Sequence, residues 1–194
     1  MFYRPAEGHG LPHNPFNAIV SPRPIGWIST RGSMGDNLAP YSFFNAVAYV
    51  PPQVVFASTG TKDSLRNIRE TGVFAVNIVP FDLVTAMNES SALWPRGVDE
   101  FAQTGVEKAQ CREIDCPHVA DAPAVLECRV VQVTQLLGED NWLVHGEVVG
   151  IHMRDDCVQD GRFDVTRFNP VSRLGYRDFA TVRELFELKR PGER

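Results

Sequence analysis

Two long alternating stretches in the second half of the chain limit its architecture more than any other feature. Val125 to Gln135 and Trp142 to Met153 each alternate apolar and polar residues. That is the period of a strand with one buried face. Leu136, Leu137 and the stretch Gly138-Glu139-Asp140-Asn141 separate them, which reads as a hairpin loop. Shorter strand patterns lie upstream. Phe16 to Thr30 reads as extended: after Asn, Pro and Ser punctuation, Ile25, Trp27 and Ser29 fall on one face and Gly26, Ile28 and Thr30 on the other. Val54 to Ser58 is a compact β-branched and aromatic run, and Phe74 to Val79 alternates again. Several strands with turns and few helices predict an antiparallel barrel or sandwich, mainly β, with short peripheral helices. Closing the sheet removes exposed edges.

Between the strands the punctuation is local. Arg31 to Asn37 is rich in turn formers. Leu38 to Tyr49 is apolar and aromatic, and Pro51-Pro52 ends it. Asp63 is placed to cap a short helix packed through Leu65 and Ile68, with Gly72 after its end. Leu83 to Met87 reads as helical, and Asp99 to Thr104 as another short helix capped by Asp99 and followed by Gly105.

The length of 194 residues fits one domain, 1–194, and 43% apolar residues fill an ordinary core. A net charge of −5 lacks the footprint of a nucleic-acid binder, so an anionic ligand needs a local cluster of donors. No charged start leads into an apolar run and no apolar stretch is long, which predicts neither signal peptide nor membrane span. Cys111, Cys116, Cys128 and Cys157 then read as free thiols in a reducing cytoplasm. Cys111, Cys116 and His118 are near one another in sequence but match no zinc spacing, so no metal is expected. There is no Gly-x-Gly-x-x-Gly after a strand, no P-loop and no Gly-x-Ser-x-Gly elbow.

One ordered set of short motifs remains. Ser21-Pro22-Arg23-Pro24-Ile25-Gly26-Trp27-Ile28-Ser29-Thr30 is followed by Asn37-Leu38-Ala39-Pro40-Tyr41-Ser42-Phe43-Phe44-Asn45. Then come Pro51-Pro52, Lys62-Asp63-Ser64 and Asn67, and later Asp99-Glu100-Phe101, Leu126-Glu127-Cys128, Gly146 to Gly150 and Arg173-Leu174-Gly175. From Phe16 to Ala180 this set strongly resembles the flavin reductase-like family, which includes flavoredoxin-like proteins and the reductase components of two-component monooxygenases. The resemblance implies the FMN-binding split β-barrel of antiparallel Greek-key type, a core over roughly 16–180 and a tail over 181–194. It implies a homodimer that binds FMN near the subunit interface, with NADH or NADPH as electron donor. A monooxygenase or another electron-acceptor protein is the implied partner. A flavin electron carrier reduced by a protein partner, and a flavin-binding protein without turnover, share the same pocket and stay open. Tyr176 and Phe179 stand where the family often has a second Gly and a Tyr.

A flavin needs flat apolar walls, a few fixed hydrogen-bonding groups and a cationic phosphate pocket. Trp27, Tyr41, Phe43 and Phe44 suit the walls, and equally suit a core. Backbone around Asn37 to Ser42, stiffened by Pro40 and including Ala39, suits the pyrimidine edge, or is a plain turn. Ser29, Thr30, Ser58, Lys62 and Ser64 suit the phosphate, with Lys62 just before a helix start at Asp63. Read alone, Lys62 is a solvated lysine beside a capped helix. Arg23, held between two prolines, is either a phosphate or flavin-edge contact or a surface arginine. Asn67 and Arg173 join the cofactor set through the resemblance. Gly146 and Gly150 leave room on a strand for a nicotinamide, with His152 as a candidate contact, although strand glycines also mark bulges.

Overall fold

The computed structural model describes residues 1–192. Its strands are β1 (Arg23–Pro24), β2 (Gly26–Gly32), β3 (Gly35–Tyr41), β4 (Phe44–Tyr49), β5 (Pro52–Thr59), β6 (Val73–Ile78), β7 (Lys108–Gln110), β8 (Pro117–Val119), β9 (Ala124–Gln135), β10 (Asn141–Met153), β11 (Val158–Gln159), β12 (Arg162–Phe163), β13 (Val171–Arg173) and β14 (Phe179–Thr181). The helices are α1 (Phe16–Ile19), α2 (Asp63–Thr71), α3 (Val84–Glu89) and α4 (Glu100–Thr104). No helix among the described residues is long and apolar enough to cross a membrane.

Seven strands form one antiparallel sheet in the order β3-β2-β6-β9-β10-β5-β4. The sheet curls but its two end strands, β3 and β4, do not pair, so the barrel is split there. The long β9–β10 hairpin is its spine, and β5 pairs the other side of β10 from Asn141↔Thr59 to Glu147↔Gln53. Phe56, Phe74, Ile28, Leu65 and Val144 fill the interior of the barrel. A second apolar cluster, with Trp27, Phe101, Met87 and Val119, lies on the opposite face of the sheet, under α3, α4 and the β7–β8 hairpin. Asn77 joins the two layers: its amide donates to Trp27 O at 2.8 Å and its carbonyl accepts from Val119 N at 2.8 Å.

The extended reading of Phe16 to Thr30 holds only from Arg23 onward. Residues 16–19 form the single turn of α1, entered at Pro15; Arg23–Pro24 then pair briefly with β13, and the chain joins the main sheet only at Gly26. The turn expected over Arg31 to Asn37 shrinks to Ser33-Met34, because Arg31 and Asp36 pair across the hairpin at 2.7 Å. Asp63 is not a cap. Lys62 occupies the N-cap position of α2 without a side-chain bond, and Asp63 turns its carboxylate to Gly97 N and Arg96 instead. The Asp99 cap is observed as expected, accepting from Phe101 N at 3.1 Å, with Gly105 left-handed after the helix.

Candidate functional site

The free edge of the split barrel borders a cleft of about 400 Å³ that gathers several of the family motifs. That size is within the range of small-molecule sites. One wall is β3 and the turn after it: Asn37, Ala39, Pro40, Tyr41, Ser42 and Phe43. The facing wall is the end of β5, with Ala57 and Thr59, and the start of α2, with Lys62, Asp63 and Ser64. The third is the loop after α3, with Ser91, Trp94 and Arg96, closed below by Glu100 of α4. That loop is anchored where Ser90 Oγ accepts from Trp27 Nε1 at 2.9 Å.

Glu100 organises the β3 side. Its buried carboxylate accepts from Asn37 Nδ2 at 2.9 Å on both oxygens and from Leu38 N at 2.9 Å. Burial pushes the Glu100 carboxyl above its ordinary value, against the pull of these donors. Asn37 Oδ1 in turn accepts from Ser64 Oγ at 2.5 Å. The chain of bonds therefore runs one way, and the Ser64 hydroxyl offers lone pairs rather than a proton to anything beside it. Leu38 N points away from β2, since it donates to Glu100. The alternation of an antiparallel edge then turns the Leu38 and Pro40 carbonyls outward as well, and Pro40 has no N–H.

At the α2 end the first intrahelical bond is Arg66 N to Lys62 O. The N–H groups of residues 63 to 65 are therefore free of helical partners. Lys62 is exposed and has no carboxylate partner among the described residues. Tyr41 Oη is buried beside the Ser58 and Ser64 hydroxyls, without a hydrogen bond of ordinary geometry to either. Burial raises its pKa, so it stands as a neutral donor. This donor set fits FMN: cation and free N–H groups at one end, a buried hydroxyl midway, outward carbonyls and aromatic surface at the other.

Nine of the residues singled out by sequence meet here: Asn37, Ala39, Pro40, Tyr41, Ser42, Phe43, Lys62, Asp63 and Ser64. Others are turned inward. Ser29 donates to Pro117 O at 2.7 Å, Thr30 accepts from Asn67 Nδ2 at 3.1 Å, and Ser58 donates to Gly60 O at 2.9 Å. Trp27 and Phe44 are core residues. Arg23 is buried and ties the chain ends, donating to the carbonyls of Asn17, Val20 and Leu174. His152 lies outside the cleft lining, bonded to Glu127 with its ring 4.8 Å from that of His118. Arg173 lines hollows next to the cleft rather than the cleft itself.

The space expected at Gly146 and Gly150 is occupied by protein. A Cβ on Gly146 meets Phe74 Cζ at 2.5 Å, and one on Gly150 meets Glu113 Cγ and Glu127 Cδ at 3.3 Å. Both glycines sit at register shifts of the β9–β10 ladder, so they mark bulges. Gly146→Ala is expected to cost about 2 kcal/mol by overpacking the Phe74 ring, read as a lower urea midpoint at unchanged slope.

Residues 20–170 match the model of the flavin reductase like domain. The chain belongs to the flavin reductase-like family. An uncharacterized protein of Deinococcus radiodurans is 44% identical over 187 residues, spanning 89% of this chain and 82% of that one. The crystal structure of nitrilotriacetate monooxygenase component B from Bacillus cereus superposes with a TM-score of 0.91 at 29% identity, covering 97% of this chain and 98% of that one. For 2-nitrobenzoate 2-nitroreductase NbaA of Pseudomonas fluorescens the TM-score is 0.84 at 29% identity, covering 91% and 89%. The open seven-stranded sheet is the split barrel of flavin reductases. Membership of this family makes the chain a flavin-related oxidoreductase in general terms. Its departure at Tyr176 has a local cost: this residue adopts a left-handed φ of 55°, which favours glycine.

Proposed function

We propose that this protein binds FMN in the cleft and works as an NADH- or NADPH-dependent flavin reductase, as a homodimer. The observation that carries the reading is the polarity of the cleft, cationic at Lys62 and the start of α2, and flat and apolar toward Pro40 and Phe43. Bound FMN supplies the hydride and electron chemistry. The chain's own groups bind and orient. Lys62 and the free N–H groups of α2 hold the phosphate. Tyr41 Oη donates to the ribityl chain, and Ser64 accepts from it. One of the outward carbonyls of Leu38 and Pro40 would accept from the single N–H of the ring edge, and Phe43 and Trp94 would keep water from its faces. The likeness to a monooxygenase component supports a separate protein as the destination of the electrons. Exposed Val47, Tyr49 and Val50 on and after edge strand β4 support the dimer; light scattering at micromolar protein is expected to give twice the chain mass.

Anaerobic addition of NADH and NADPH to the FMN-loaded protein tests the reading. Bleaching of the flavin band is expected. A band that persists in excess of both moves the assignment to a carrier reduced by a protein partner. Lys62→Ala is expected to weaken FMN by about tenfold to a hundredfold, the worth of one charge-assisted hydrogen bond. Riboflavin, which lacks the phosphate, is expected to bind this variant as it binds the parent protein. Equal losses for both ligands in fluorescence titrations place Lys62 under the ring or in the fold instead.

A further inference from the structure

Beyond Pro40 and Ser42 the cleft opens into further space. A second hollow of about 270 Å³ shares Pro40, Ser42 and Ser91 with it and is closed by Arg173 and Phe179. A shallower groove of about 480 Å³ continues from there past Asn88 to Arg177, sharing Arg173 and Phe179 with the hollow. The three spaces form a chain, with Lys62 at one end, Arg173 and Arg177 at the other, and the Pro40–Ser42 edge between them.

The far end carries two arginines without an ion-pair partner among the described residues. Among the described residues, arginine ion pairs involve Arg4, Arg31, Arg96, Arg154, Arg162 and Arg167. Arg173 and Arg177 take part in none of these. Arg23, buried behind them, donates to three carbonyls, and Arg173 is near enough to disfavour its charge further. The Arg173 guanidinium is already oriented. Its Nη2 donates to Tyr176 O at 2.6 Å and the group lies 4.4 Å from the Phe179 ring centroid. A planar, pre-positioned guanidinium is suited to a carboxylate or a phosphate. Tyr176 and Phe179, the two residues holding it, are the positions where this chain departs from the family pattern.

We propose that the Arg173–Arg177 groove is a subsite for the anionic group, carboxylate or phosphate, of the small molecule that exchanges electrons with the flavin. The inference rests on the flavin reading of the neighbouring cleft. A ligand with its phosphate at Lys62 places its ring along Pro40 and Ser42. A second molecule facing that ring then has its charged end over Arg173 and Arg177. Asn88 and Thr85, lining the same groove, add neutral polar partners.

Arg177 is exposed and is the safer position to change. Calorimetric titration of the FMN-loaded protein with NADP⁺ and, separately, with benzoate tests the subsite in the parent, Arg177→Gln and Arg177→Glu. For at least one probe Kd is expected to rise about tenfold or more in Arg177→Gln and further in Arg177→Glu, with the loss shrinking in high salt. FMN affinity is expected to stay at the parent value, because its phosphate lies at the other end. A loss confined to NADP⁺ assigns the groove to the phosphates of the electron donor; a loss confined to benzoate assigns it to the carboxylate of an aromatic acceptor. Equal affinities in all three proteins, or binding of neither probe to the parent, overturn the proposal. Failure of the parent to take up FMN defeats the flavin reading instead, and the same titrations on the flavin-free protein then decide the groove.

Discussion

Glu127→Ala is expected to lower the stability of the fold by about 4 kcal/mol, the cost of orphaning the buried N–H donors it accepts from. The side chain is 1% exposed, on β9. It accepts from the backbone N–H groups of Arg112 at 2.8 Å, Glu113 at 2.7 Å and Ile114 at 3.2 Å, and bonds to His152 Nε2. Those three amides belong to the loop that closes the β7–β8 hairpin, where no ladder partner exists. Alanine leaves all of them buried or half-buried without an acceptor. For a chain of this length the melting temperature is expected to fall by roughly 8–16 °C, measured by calorimetry.

The same contacts give a pH signature. Backbone donors and His152 outweigh burial and hold the Glu127 carboxyl below its ordinary value. The folded state therefore binds that proton less readily than the unfolded chain. The stabilisation is complete above the ordinary carboxyl range, near 4.5, and is lost as pH falls through the lower folded value. His118 adds a second window. Burial, and then His152 beside it, lower its pKa from 6.5, so stability also declines as pH drops below that figure, where only the unfolded chain takes up the proton. Urea midpoints from pH 3 to 8 are expected to show both slopes in the parent. Glu127→Gln, which keeps the shape, is expected to lose the acidic one.

The second large effect is expected at Glu100. Glu100→Ala removes the acceptor of Asn37 Nδ2 and Leu38 N together, at about 3 kcal/mol for two orphaned donors. Asn37 is then free to turn, and Ser64 loses the acceptor that sets its direction. Since the proposed site sets the ring, not the phosphate, against the β3 edge, FMN and riboflavin are expected to weaken alike, each by about tenfold or more. That parallel loss separates Glu100 from Lys62, and matched titrations of both flavins check it. A variant whose flavin affinities match the parent while its melting temperature falls reduces Glu100 to a structural residue.

Much of the barrel was legible because its longest elements are locally self-consistent. Val125 to Gln135 and Trp142 to Met153 alternate throughout, and the loop between them offers one pairing; the structure forms that hairpin. The strand at Ile25 to Thr30 was equally plain in its two faces. What alternation does not state is which face a ligand sees. Ser29, Thr30 and Ser58 look like phosphate hydroxyls in sequence, yet all three are buried, Ser29 and Thr30 because β2 is covered on both faces. Ala57 and Thr59, one residue away, reach the cleft instead.

Glu100 was hidden for a different reason. Next to the Asp99 cap it reads as a favourable charge in the first turn of a helix. Its burial follows from Asn37, a partner 63 residues away, and no local signal announces such a pair. Trp94 and Arg96 sit in a loop with no periodicity to place them. Asp63 was taken for a cap because its type and position fit, but Arg96 and Gly97 compete for the same carboxylate.

The edge of β3 has one more consequence, for the behaviour of the chain among its own kind. A barrel that stays open exposes strand edges, and an exposed edge is a template for a foreign strand. Over residues 38–40 this edge has lost its means of recruiting one. Leu38 N–H is occupied by Glu100, and Pro40 has no N–H to give. An incoming strand needs donors and acceptors in alternation and meets acceptors alone. The arrangement that leaves carbonyls open to a small ligand thus also guards this edge of the split barrel against edge-to-edge aggregation.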